Sequence, residues 1–194
     1  MKTLDAIREV WAAGGPLVTC DPGVQGTGLA YWRYGAFSRN GFPVFPELTG
    51  CIRGRRNLKG RDRVADVISR AGLWLANLPA APAVFVVELP GLWEGNAVSH
   101  AAAVKGDTFG LAYLAGRLAG EVAACGLGLP SRHAPDIWTV SPQEWKGQLP
   151  KATVDRRIVA AWAKHAPGCV VPPEFLQDHV SDAVGMGLSV GGWL

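Results

Sequence analysis

At 194 residues, 48% of them hydrophobic and 18% charged, the chain has the length and composition of one folded domain, which excludes a disordered or fibrous protein. Its formal net charge is only +3, but the stretch 53–70 sets seven basic residues against two acidic ones, a local excess of +5 that points to an anionic partner. No window carries the apolar length of a membrane span, and Asp5 and Glu9 near the start are unlike a signal peptide, so a cytoplasmic protein without membrane association is expected.

In chain order, Leu4 to Ala13 has the spacing of a short amphipathic helix, and residues 1–15 read as a helical extension to a single domain spanning 1–194. Gly14, Gly15 and Pro16 stop that helix, and Leu17 to Cys20 is a brief apolar run of the buried-strand type. Gly28 to Tyr34 reads as a second strand, with a third around Val44 to Ile52. The glycines of Asp21-Pro22-Gly23-Val24-Gln25-Gly26-Thr27-Gly28 therefore lie in a hairpin. A dinucleotide or P-loop site needs its glycine turn to open a helix, so no nucleotide cofactor is expected.

Helical spacing over Arg61 to Leu78 ends at Pro79 and Pro82, and Ala83 to Val87 is a second buried-strand run. A long helix from about Thr108 to Cys125, a strand Asp136 to Val140, a helix Thr153 to Lys164 and a closing helix from about Asp178 to Val190 complete the map. Strands and helices alternate after an opening meander, which predicts an α/β fold: a mixed sheet covered by helices. Trp11, Trp74, Trp138 and Trp162 read as core or interface residues, and Cys20, Cys51, Cys125 and Cys169, with no CxxC pair, as reduced and mostly buried thiols.

The first and central apolar strands both end in a carboxylate, Asp21 and Glu88. A charge there is costly unless a cation, donors or water meet it, and ligand sites of open α/β sheets lie at the carboxyl ends of the strands. The closing helix begins Asp178-His179-Val180-Ser181-Asp182, which places His179 and Asp182 on one face. Together these residues make an oxygen-rich set suited to Mg²⁺ or Mn²⁺, and two such ions would serve hydrolysis of a phosphodiester.

Asp21-Pro22-Gly23 with Thr27-Gly28, Val86-Val87-Glu88 and His179-Val180-Ser181-Asp182-Ala183 resemble, in that order, the first motif, the second motif and the closing helix of the RuvC family of Holliday junction resolvases. The resemblance implies a ribonuclease-H-like five-stranded mixed sheet flanked by helices. It also implies a structure-selective endonuclease that cuts four-way or branched DNA by paired nicks. Asp21, Glu88, His179 and Asp182 are then the catalytic and metal-binding set; some family members have an aspartate where His179 stands, and an imidazole there favours Mn²⁺ or a proton-transfer role. Ser141-Pro142-Gln143-Glu144-Trp145-Lys146, followed by Lys151, is similar to the family's basic stretch and makes Lys146 and Lys151 candidates for phosphate contact.

Arg53, Arg55, Arg56 and Lys59 are candidate DNA contacts from the basic loop, and Trp93 is the candidate for stacking on an unpaired base. That loop and the first 15 residues depart from the compact cellular pattern and suggest a divergent, phage-encoded member. Two incisions related by a two-fold axis call for a homodimer, and the family likeness places the contact on the helix from Thr108 to Cys125, whose Phe109, Leu111, Leu114 and Leu118 are interleaved with small residues. Rival readings are a RuvX-like nuclease acting on RNA and an actin-like ATPase, the latter disfavoured by a single glycine-rich hairpin in 194 residues.

Overall fold

The computed structural model describes residues 2–23, 25–33, 45–89, 107–127, 134–147, 149–165 and 170–194. The elements run α1 (Lys2–Ala12), β1 (Leu17–Asp21), β2 (Thr27–Trp32), β3 (Leu48–Ile52), α2 (Gly60–Ala76), β4 (Val84–Glu88), α3 (Asp107–Leu127), β5 (Asp136–Val140), the one-turn α4 (Pro142–Trp145), α5 (Lys151–His165), a 3-10 turn (Pro173–Leu176) and α6 (Asp178–Gly191). The five strands form one sheet in the order β3-β2-β1-β4-β5. β1 to β3 are an antiparallel meander, while β4 and β5 join β1 in parallel, so the expected mixed five-stranded sheet is the one observed. No helix among the described residues is long and apolar enough to cross a membrane.

Strand alternation splits the core in two. Leu17, Ala30, Trp32, Val84, Val86 and Val140 face one layer, made by α1, α5 and α6; Val18, Cys20, Leu29, Tyr31, Phe85 and Val87 face the other, made by α2 and α3. β1 and β2 are buried throughout, as strands covered on both faces must be, whereas the edge strand β5 leaves Asp136 and Ile137 exposed. α1 is no appendage: Ile7 and Trp11 are wholly buried, and Trp11 meets Trp32 edge-on at 6.4 Å between ring centroids.

α6 lies unusually close to the sheet, and its glycines are the reason. An ideal Cβ on Gly187 would collide with the Trp32 indole, and one on Gly185 would stand 2.8 Å from the Trp145 ring. From the sheet side, a Cβ on Gly28 would collide with the carbonyl group of His179. The missing side chains of Gly187 and Gly28 thus let the helix descend onto β2, while that of Gly185 makes room for Trp145 beside it. Thr19 fixes its height, donating its hydroxyl hydrogen to the Ala183 carbonyl at 2.7 Å while accepting from the Trp32 indole at 3.1 Å. Polar groups buried at that depth need such pairing.

Candidate active site

In the parallel β1–β4 pair, Cys20 stands opposite Val87, so the next residues, Asp21 and Glu88, end the two central strands side by side. Both share the face of Leu17, Thr19, Val84 and Val86, the face that α6 covers. The descent of α6 at Gly28 brings its first turn over these strand ends. His179 Nδ1 stands 2.6 Å from Asp21 Oδ2, and Asp182, a turn further on, faces the same cluster. The imidazole is cradled by the hairpin: a Cβ on Gly23 would stand 2.8 Å from its Nε2, and one on Gly26 3.4 Å from its Cδ2. That close approach is what the glycines of the turn are for.

Lys146 and Lys151 enter this cluster rather than standing outside it. The Lys146 ammonium lies 3.1 Å from Asp182 and 3.8 Å from Glu88, and its side chain is only 18% exposed. It is delivered by α4, a turn that the sequence reading passed over. Ser141 precedes it, and the Glu144 carboxylate reaches back to the Ser141 N–H at 2.7 Å, a capping-box arrangement followed by Pro142 at the first helical position. Lys151 opens α5 and donates to the Asp178 carbonyl at 2.7 Å, to Asp182 at 3.3 Å and to the Ser181 hydroxyl.

Trp145 is a site residue that sequence reasoning missed. Its buried indole N–H donates to Glu88 Oε2 at 2.6 Å, and its ring packs against Gly185. The signal that could have found it is the Ser141-Pro142-Gln143-Glu144 capping pattern, which sets a helical turn immediately after β5 and so turns Trp145 and Lys146 toward the strand ends.

Crowding of acids in a buried place raises their affinity for protons. Burial, followed by the neighbouring Asp21 charge, pushes Glu88 up to about 7, with Lys146 and the Trp145 hydrogen bond acting in the opposite direction. Burial likewise raises Asp21, against the hydrogen bond from His179. That same bond, ahead of burial, raises His179 above its ordinary value. Among the described residues no three His, Cys, Asp or Glu side chains form a ready-made metal-ligand set. Instead the Lys146 ammonium lies between Glu88 and Asp182, and His179 holds Asp21.

Of the basic loop, Arg53 and Arg56 line a groove that reaches His179. Arg55 is tied down, its backbone N–H and Nε each donating to Asp66 at 2.9 Å, and Lys59 is exposed ahead of α2. Trp93 lies outside the described residues, as do Cys169 and the side chain of Cys125; Cys20 is buried and Cys51 half-buried.

No protein-family model and no curated protein matches the chain. Solved structures do. Thermus thermophilus RuvC in complex with a Holliday junction substrate superposes with a TM-score of 0.54 at 16% identity, covering 90% of this chain and 92% of that one. Another Thermus thermophilus RuvC structure gives 0.51 at 17% identity, covering 90% and 92%. The yeast mitochondrial Holliday junction resolvase Ydc2 gives 0.50 at 13% identity, covering 98% and 84%. The fold is therefore the ribonuclease-H-like fold of these neighbours.

Proposed function

We propose that this chain is a divalent-metal-dependent endonuclease that cuts four-way or otherwise branched DNA. The observation that carries the reading is the placement of Lys146: an ammonium stands between Glu88 and Asp182, so these acids, beside Asp21, share a cation position at the carboxyl ends of two parallel strands. Two structural neighbours, the RuvC in complex with a Holliday junction substrate and the Holliday junction resolvase Ydc2, support the substrate class.

The donor set suits Mg²⁺ or Mn²⁺, since it is mostly carboxylate oxygen. Asp21, Glu88, Asp182 and His179 would hold the metal, which when bound supplies charge neutralisation and an activated water for attack on phosphorus. The chain's own residues do the rest. Trp145 orients Glu88 through its indole N–H, and the Asp21 contact orients His179. His179 would have to be neutral for a ring nitrogen to serve as a ligand, and Glu88, raised to about 7, would have to be ionised. Lys146, once released from the two carboxylates, would contact the phosphate under attack together with Lys151, which shares Asp182 with it. Arg53, Arg56 and Lys59 extend the positive surface beyond the acids, where backbone contacts would hold the substrate without reading sequence.

The activity calls for two copies, since the described residues of one chain carry one such acidic cluster. α3 would offer the pairing face, but not through Leu114 and Leu118, which belong to the chain's own core: Leu111 is half-buried, the Phe109 side chain lies outside the described residues, and Ala112, Gly116 and Gly120 form an exposed small-residue row beside Tyr113.

Incubating the protein with a synthetic junction, a linear duplex, a flap and a structured RNA, each with Mg²⁺, Mn²⁺ or EDTA, tests the reading. Paired symmetric nicks in the junction that require metal are expected. Cutting in EDTA, or cutting of RNA alone, would overturn it.

A further inference from the structure

We propose that Arg53, Arg56 and Arg63 form a seat for one backbone phosphate of the cut strand, neighbouring the scissile phosphate on the His179 side of the acidic centre. The inference rests on the nuclease reading and adds a site that the basic loop's composition does not reveal. The three arginines line a pocket of about 280 Å³ whose wall includes His179, Asp178 and Gln25. The volume admits a phosphate group with its hydration, and an arginine fork matches phosphate oxygens in pairs.

The loop is built to hold these side chains in place. Asp66 accepts two hydrogen bonds from Arg55, and Arg70 donates to the Arg53 carbonyl at 2.7 Å, so both backbone and charge of the loop are anchored on α2. Gly54 is buried between them: a Cβ there would stand 2.7 Å from Arg63 Cγ and 3.1 Å from Val67. With Asp66 committed to Arg55, none of the three pocket arginines has an ion-pair partner among the described residues. The one carboxylate on the wall, Asp178, opposes an anion, but Lys151 lies 4.0 Å from it.

Arg63 separates a binding site from a solvated charge run. Its Nε is buried with no hydrogen-bond acceptor among the described residues. Buried donors are almost always paired, and a buried charge left alone is costly, so the Arg63 guanidinium is not compensated from within the described chain, and an anion in the pocket that Arg63 lines would supply that compensation. A phosphodiester held here would lie next to the groups that attack its neighbour.

The test is binding of the wild-type protein, in EDTA, to four-way DNA junctions that each carry a single uncharged methylphosphonate, stepped along the strand through the cut site. One position beside the cut should weaken binding about tenfold to a hundredfold, the scale of one hydrogen bond to a charged group. In Arg63→Gln the same substitution should cost nothing further, Arg63→Lys should restore part of the effect, and the salt slope should fall by about one. Arg53→Gln with Arg56→Gln, both at exposed side chains, repeats the comparison where folding is not at stake. Methylphosphonate penalties that stay unchanged in every arginine variant would overturn the seat, as would failure of the protein to bind DNA. If the mapped phosphate depends on Arg63 but no junction is nicked with Mg²⁺ or Mn²⁺, the seat stands and the nuclease reading falls.

Discussion

The indole N–H of Trp145 donates to Glu88 Oε2 at 2.6 Å across 57 residues of sequence, and it is the shortest link between the α4 turn and the strand end that the acids share. Trp145→Phe keeps the buried ring against Gly185 and removes the donor. Losing a hydrogen bond to the charged form should raise the Glu88 pKa further, move the alkaline-rising limb of the activity profile upward and cut the rate about tenfold at neutral pH. A pH–rate profile checks this. An unchanged profile would make Trp145 a packing residue alone.

Glu88 also couples stability to pH. Its folded pKa of about 7 exceeds the ordinary 4.5, so between those values the folded chain binds a proton that the unfolded chain has lost. Stability of the metal-free protein should therefore fall as pH rises through that window, by about 3 kcal/mol at ~1.4 kcal/mol per unit. The raised Asp21 acts in the same direction. So does His179, whose stabilising contact is fully present below its unfolded pKa and lost as pH rises through the raised folded one. Urea unfolding in EDTA at pH 5 and pH 8 should show this fall, and Glu88→Gln should flatten it. Added Mn²⁺ should restore stability at pH 8.

Gly28→Ala tests whether the close approach of α6 positions the site. The new Cβ would collide with the His179 carbonyl group and lift the helix end that carries His179 and Asp182. A loss of about 1–3 kcal/mol in stability, with a disproportionate loss of activity, is expected. Activity that falls only as far as the folded fraction would place the constraint elsewhere.

Much of this arrangement could be read before any coordinates. β1 and β4 announce themselves as apolar runs ending in Asp21 and Glu88, and the spacing of His179 and Asp182 puts them on one face of a helix. What pattern could not supply is which cation meets which acid. Lys146 looks like any surface lysine until the α4 turn folds it back between Glu88 and Asp182. In the basic loop, charge counting treats Arg55 and Arg63 alike, whereas Asp66 takes one of them and leaves the other's Nε unpaired. On α3 the periodicity of Leu114 and Leu118 marks an apolar stripe, and only packing against the sheet tells that the stripe faces inward.

The exposed row on α3 gives a prediction of its own. A Cβ at Gly116 meets nothing within 4 Å, so Gly116→Glu should leave the fold intact while placing a charge on the proposed two-fold contact. Sedimentation equilibrium should give twice the chain mass of 20.5 kDa for the wild type and the single mass for the variant. A wild type that sediments as a monomer yet makes paired nicks would contradict the pairing.

The most direct measurement of the central claim is cleavage of a four-way DNA junction by Asp21→Asn and Glu88→Gln, read on a denaturing gel beside binding by the same proteins. Both carboxylates belong to the acidic cluster, while Arg53, Arg56 and Lys59, the proposed contacts to phosphates beyond the cut, lie outside it. The predicted result is loss of metal-dependent nicking in each variant with junction affinity kept within about threefold, a difference of well under 1 kcal/mol. Either variant cutting the junction at the wild-type rate would contradict the assignment of these acids as the catalytic centre.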